Sequence, residues 1–193
     1  MALLIAGLIL FLGSHSVRIF AEGWRNHQIE QRGPMKWKSL LAMVSIAGLV
    51  LLVIGYGQAR MNPVELWQAP VWSRHLAALL TLIAFILLVA AYIPRNSLKA
   101  KIGHPMVVAV KIWAFAHLLS NGTLADTVLF GSFLLWAVLN FRSARRRDRA
   151  ASVIRAPGFL ANTLLTVGLG VAVWAAFVFK LHAWLIGVSP LGM

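Results

Sequence analysis

Six histidines and no cysteine stand in a chain of 193 residues. Any intrinsic ligand for a metal or a cofactor iron is therefore nitrogen, oxygen or thioether, and disulfides, thiolate centres and iron–sulfur clusters are excluded. Five of the six, His15, His75, His104, His117 and His182, fall in or at the edge of long apolar stretches, whereas His27 lies in a polar one. An imidazole in hydrocarbon is costly unless it is paired, ligated or close to an interface. Each of the five either ligates something or is an interfacial or interhelical hydrogen-bonding group. For His27 the second role is the expectation.

Depth sorts these rings into two classes. His15 lies near the end of the first apolar run and His104 begins the fourth, while His75, His117 and His182 fall towards the opposite ends of theirs. His104 and His117 are 13 residues apart, which on a continuous helix is about 20 Å along the axis and about 140° around it. They cannot be opposite axial ligands of one iron. The best pairs across a bundle are His15 with His104 on one side and His75 with His117 on the other. Ligation by paired imidazoles would place redox-capable iron inside the bundle, and noncovalent haem is compatible with them.

Lys111 follows His104 by seven residues, nearly on the same helical face. It is either an anchor for a cofactor propionate, a counter-charge or substrate contact, or a side chain snorkelling to the interface. Arg18, one turn beyond His15, binds a propionate or is an ordinary boundary arginine. Asn121, one turn beyond His117, orients that ring or simply serves the Asn121-Gly122 turn. Asp126 is expected to cap the next helix, with a proton path as the alternative, and Trp113 and Phe115 are expected to pack.

The elements that must position these groups are membrane helices. The chain is 60% hydrophobic, 12% charged and has mean hydropathy +0.80, which reads as an all-α polytopic membrane bundle. Apolar segments at 2–20, 39–57, 74–93, 105–120, 124–141 and 161–186 make six transmembrane helices of mostly adequate length. The first lacks the basic flank of a signal peptide and is taken as a span. The fourth and fifth, joined by the short Asn121-Gly122 turn, form an antiparallel pair. Pro34, Pro63 and Pro70 are expected in loops, Pro94 at the end of the third span, Pro105 at the start of the fourth, and Pro157 and Pro190 on either side of the sixth. No repeat or long linker divides the chain, so residues 1–193 are expected to form one transmembrane domain.

The net charge of +13 would suit nucleic acid, but a phosphate-gripping surface needs those charges on a polar exterior. Here they cluster in alternate connections, 21–38, 94–104 and 142–160, whereas 58–73 and 121–123 carry few. The positive-inside rule then gives an N-out, C-out topology. The partner implied by the charge is the lipid bilayer and its anionic lipids, with no nucleic acid. Trp24 and Trp37 are expected at the inner interface and Trp67, Trp72 and Trp184 at the outer one.

No zinc-protease, phosphate-loop, dinucleotide, covalent-haem or nucleophile-elbow motif is present. The segments "GLILFLGSHSVRI", "GHPMVVAVKIWAFAHLLSNG" and "LFGSFLLWAV" closely resemble the NnrU family of integral membrane proteins, which also contains the 15-cis-zeta-carotene isomerases. The resemblance implies six spans in a bacterial inner membrane, and haem b as in the carotene-isomerising members. His15 matches the early family histidine and His104 the histidine-proline position, so these two are the expected iron ligands, with Arg18 and Lys111 beside the cofactor. Lys111, His117 and Asn121 match the central segment and are the expected catalytic residues. The implied activity is redox-dependent isomerisation of a hydrophobic polyene with a redox partner. The alternatives are support of nitric-oxide metabolism or denitrification, or a non-enzymatic haem sensor or electron carrier. A mechanism that needs a cysteine ligand cannot operate here.

Overall fold

The computed structural model describes residues 1–191. Among these the regular structure is helical, apart from an isolated bridge between Glu65 and Thr123. The helices are α1 (Ala2–Phe20), α2 (Glu22–Arg32), α3 (Pro34–Met61), α4 (Val71–Tyr92), α5 (Ser97–Ile102), α6 (Pro105–Ser120), α7 (Leu124–Ala150), α8 (Leu160–Ala176) and α9 (His182–Ile186), with a π-helical turn at Phe177–Leu181 between the last two.

Five stretches are long and apolar enough to span a bilayer: α1, α3, α4, α7 and the combined run Leu160–Ile186. The sixth apolar helix, α6, has 16 residues, about 24 Å at 1.5 Å per residue. It is short because Pro105 fixes its first turn and Asn121-Gly122 ends it. Large apolar side chains such as Ile9, Met43, Leu79, Leu164 and Phe179 are more than half exposed. Such a surface is unworkable in water and ordinary where lipid is the solvent.

Several boundaries move relative to the sequence reading. Pro34 is not in a loop but in the first turn of α3, where its missing N–H costs nothing. The segment 21–38 contains α2, an amphipathic helix with no buried residue. The arginine-rich stretch after Phe141 continues α7 to Ala150, since alanine and arginine are good helix formers. Trp37 is buried at 3% exposure and meets Trp24 edge-on, so it packs α2 onto α3.

Packing follows the order α3, α1, α7, α6, α4, α8, each helix contacting the next. Small residues set the closest approaches, as expected where apolar burial gives no advantage over lipid. Across α1 and α3, a Cβ on Gly55 would lie 2.2 Å from the Leu4 amide nitrogen and one on Gly48 2.6 Å from that of Phe11, while Gly7 faces Leu52 in the same way. Leu4, Leu8, Leu52, Ala114, Leu129 and Phe130 form the core that joins α1 and α3 to α6 and α7. Ala84, Leu87 and Ala109 join α4 to α6, and Gly170 of α8 lies against the Ile86 backbone.

The basic segments gather at one end. Glu22 bonds Arg18 at 3.2 Å and lies 3.9 Å from Arg147. At the far end the 62–70 loop is latched to the α6–α7 turn: Gly122 O accepts from Leu66 N at 2.8 Å, and Leu124 N donates to Val64 O. A Cβ on Gly122 would meet Trp67 O at 1.8 Å, which is the physical demand behind glycine in that turn. Thr123 and Asp126 complete the expected cap as a reciprocal capping box.

Candidate functional site

The far end holds a cavity of about 560 Å³ between α4, α6 and the C-terminal segment, within the range of small-molecule and cofactor pockets. His117 and Asn121 line it from α6, and His182 from the opposite wall. Phe85, Trp113, Phe177 and Val178 make it largely apolar, and Arg74 stands on its α4 side.

The two imidazoles are held alike. His117 Nδ1 donates to Trp113 O at 2.9 Å, and His182 Nδ1 donates to Val188 O at 2.7 Å. A backbone carbonyl on Nδ1 selects the tautomer whose lone pair is on Nε2, the arrangement in which histidines ligate metals. His117 is further fixed by stacking on Phe130, centroids 4.6 Å apart, and by Trp113 at 5.2 Å. Phe177 meets His182 edge-on at 5.8 Å. Asn121 donates to the His117 carbonyl and to Ser120 Oγ, so it closes the helix end rather than orienting the ring.

The pairing of His75 with His117 is not what forms. His75 is exposed, and Arg74 occupies the cavity side of α4. Helical phase explains the swap. Arg74, Ala78, Thr81 and Phe85 share the cavity stripe, whereas His75 runs on with Leu79 and Ile83, which are exposed.

The other predicted residues occupy two separate stations at the basic end. His15 is exposed, donates through Nδ1 to Phe11 O at 2.7 Å, and meets Trp136 edge-on at 6.2 Å. With Arg18 it lines a groove between α1, α2 and α3. Trp136 keeps a buried indole N–H without a partner among the described residues, so this station retains an unused donor. His104 instead donates through Nε2 to Asp148 at 2.8 Å. Asp148 also accepts from Arg155, whose guanidinium packs on Gly103. Lys111 Nζ sits 4.8 Å over the Phe141 ring, and His104 approaches the same ring edge-on, which places Lys111 and His104 together as their spacing predicts.

The structure does not bring His15 and His104 to one cavity. Their partners on α7, Trp136 and Asp148, are 12 residues apart, about 18 Å along that helix. Lys111 is likewise separated from His117 and Asn121, because it faces α7 and does not line the far cavity.

Sequence reasoning passed over Arg74 as a cavity residue, left His182 out of its paired rings and did not single out Tyr56. Tyr56 Oη donates to Asp126, itself 5% exposed and also bonded by Thr123, so the capping carboxylate ties α3 to α7. A tyrosine near the end of an otherwise apolar run was the available signal, since its hydroxyl needs a partner there.

As to fit, the far cavity offers two imidazole Nε2 atoms, aromatic walls and one guanidinium, a donor set that suits haem iron, a porphyrin face and a propionate. His104 has its Nε2 committed to a carboxylate, and the His15 groove contains one imidazole.

Residues 3–190 match the family model described as NnrU protein. No curated protein and no solved structure matches the chain.

Proposed function

The chain belongs to the NnrU family, and from that premise we propose that it binds haem b in the far cavity and uses it in redox-dependent cis–trans isomerisation of a conjugated polyene, with 15-cis-zeta-carotene as the substrate to test. The observation that carries the reading is the matched pair His117 and His182. Each has its Nδ1 on a backbone carbonyl, and both line one apolar cavity. This assignment moves the cofactor from His15 and His104 to the opposite end of the bundle.

His117 and His182 would hold the iron, and Arg74 would neutralise a propionate. Bound haem would supply reversible one-electron chemistry, which lowers the barrier to rotation about a double bond with no net oxidation. Phe85, Trp113 and Phe177 would flank the polyene and keep water from the reacting segment. Their helices carry exposed apolar residues, including Leu79, Phe115 and Phe179, which supports lateral access from lipid.

The test is an anaerobic absorption spectrum and a turnover assay on one preparation expressed with ample haem. The expected result is a haem Soret band and conversion of 9,15,9'-tri-cis-zeta-carotene to the 9,9'-di-cis isomer by the reduced protein only. Protein without haem would overturn the cofactor assignment. Haem-loaded, reducible protein that leaves the carotene unchanged would overturn the isomerase and direct attention to nitrogen-oxide chemistry, sensing or electron transfer.

A further inference from the structure

At the opposite end from that cavity, α1, α2 and α3 enclose a groove of about 540 Å³ that the proposed chemistry does not use. Its rim is cationic: Arg18 from α1, Arg25 from α2 and Lys38 from α3 all line it. Glu22, which bonds Arg18 and lies near Arg147, is the acidic group beside it, and Arg25 bonds only the neutral Asn26 among its side-chain partners in the described residues. Moving inward the lining becomes mostly apolar, through Leu41 and Ala42 to Ile46, with the polar groups there, Ser14, Ser45 and His15, bonded to one another or to the α1 backbone. Lys38 and Ile46 are eight residues apart on one helix, so the groove runs about 12 Å from charge to hydrocarbon.

A charged rim continuous with an apolar trough is complementary to one kind of molecule. The geometry points to a site for an anionic phospholipid, its phosphate held by Arg18, Arg25 and Lys38 and an acyl chain lying along Leu41, Ala42 and Ile46. A soluble anion would leave the trough empty, and a neutral lipid would leave the rim with an uncompensated excess of positive charge. The three cations come from three helices, and α2 has no buried residue of its own. The lipid therefore also serves as the cement that holds α2 against α1 and α3.

The probe is phosphatidylglycerol against phosphatidylcholine, with retained lipid counted by native mass spectrometry of the detergent-solubilised full chain. At about fivefold per cation near the headgroup, Arg25→Ala with Lys38→Ala is expected to lower the preference for phosphatidylglycerol about 25-fold. Arg146→Ala with Arg149→Ala removes the same charge from exposed positions of α7 that do not line the groove and is expected to leave the preference of the retained lipid unchanged. An equal fall in both pairs would mean diffuse attraction to a basic end and would overturn the site. Displacement of the retained lipid by inorganic phosphate alone would also overturn it, by showing a simple anion site. Circular dichroism of each variant separates loss of the site from loss of the fold, and an Arg25→Lys, Lys38→Arg variant that keeps both charges is expected to retain the lipid.

Discussion

His104 donates its Nε2 proton to Asp148 at 2.8 Å, joining the start of α6 to the last turns of α7. The ring that opens the histidine-proline pair thus acts as a clasp between two helices, with Arg155 closing the other side of the same carboxylate. His104→Ala and Asp148→Asn are each expected to destabilise the protein by about 1.5–3 kcal/mol, the usual range for a hydrogen bond to a charged group. Thermal unfolding in detergent measures this. Under the proposed cofactor placement both variants keep the Soret band, whereas its loss in His104→Ala alone would restore His104 as an iron ligand.

His117 and His182 line one cavity while His75 lies outside it. His117→Ala and His182→Ala are accordingly expected to lower haem occupancy at least about tenfold, as when a metal site loses an essential partner, and His75→Ala to leave it unchanged. Absorbance per mole of purified protein decides among them. Equal occupancy in all three variants would remove the far cavity as the haem site.

Gly55 lets the α3 backbone touch α1, since its Cβ would sit 2.2 Å from the Leu4 nitrogen and 2.6 Å from the Leu3 carbonyl carbon. Backbone cannot swing aside as a side chain does. Gly55→Ala is expected to cost about 1–3 kcal/mol through overpacking, read as a lower unfolding temperature, while Gly57→Ala, which meets nothing within 4 Å, is expected to be neutral or slightly stabilising.

Because the chain has no cysteine, single cysteines can be introduced without a background signal. The charge distribution predicts N-out, C-out. Asn62→Cys, in the far-end loop, is expected to react with a membrane-impermeant maleimide on intact spheroplasts, and Arg149→Cys only after permeabilisation. The reverse pattern would invert the topology.

Much of this architecture is legible in the sequence because membrane spans are written in length and hydropathy. The five long spans, the antiparallel α6–α7 pair and the Thr123–Asp126 cap all follow from such local signals. Helix α2 does not, since its charged amphipathic surface resembles a loop when the criterion is the ability to cross a bilayer. The cavity was only half legible. Depth along a helix is fixed by residue number, and depth grouped His117 with both His75 and His182. Choosing between them requires the rotational setting of three helices, for which the exposed apolar stripe through His75, Leu79 and Ile83 carried the information. His104 was misleading for a different reason: its counter-ion, Asp148, lies 44 residues downstream in a stretch dominated by arginine, where a lone acid reads as surface decoration.

The π-helical turn at Phe177–Leu181 gives the last span two angular phases. Up to Ala176 the helix presents Thr166 and Gly170 inward, both buried, with Gly170 against Ile86. Beyond the wide turn the chain has been wound back by one residue's rotation, about 100°, and in that setting His182 lines the cavity. The turn works as a vernier, letting packing against α4 and delivery of an imidazole be adjusted separately along one continuous rod. Deleting one residue within 177–181 is expected to restore an ordinary helix and turn His182 out of the cavity with the α4–α8 seam intact, so that haem is lost from a protein that still folds.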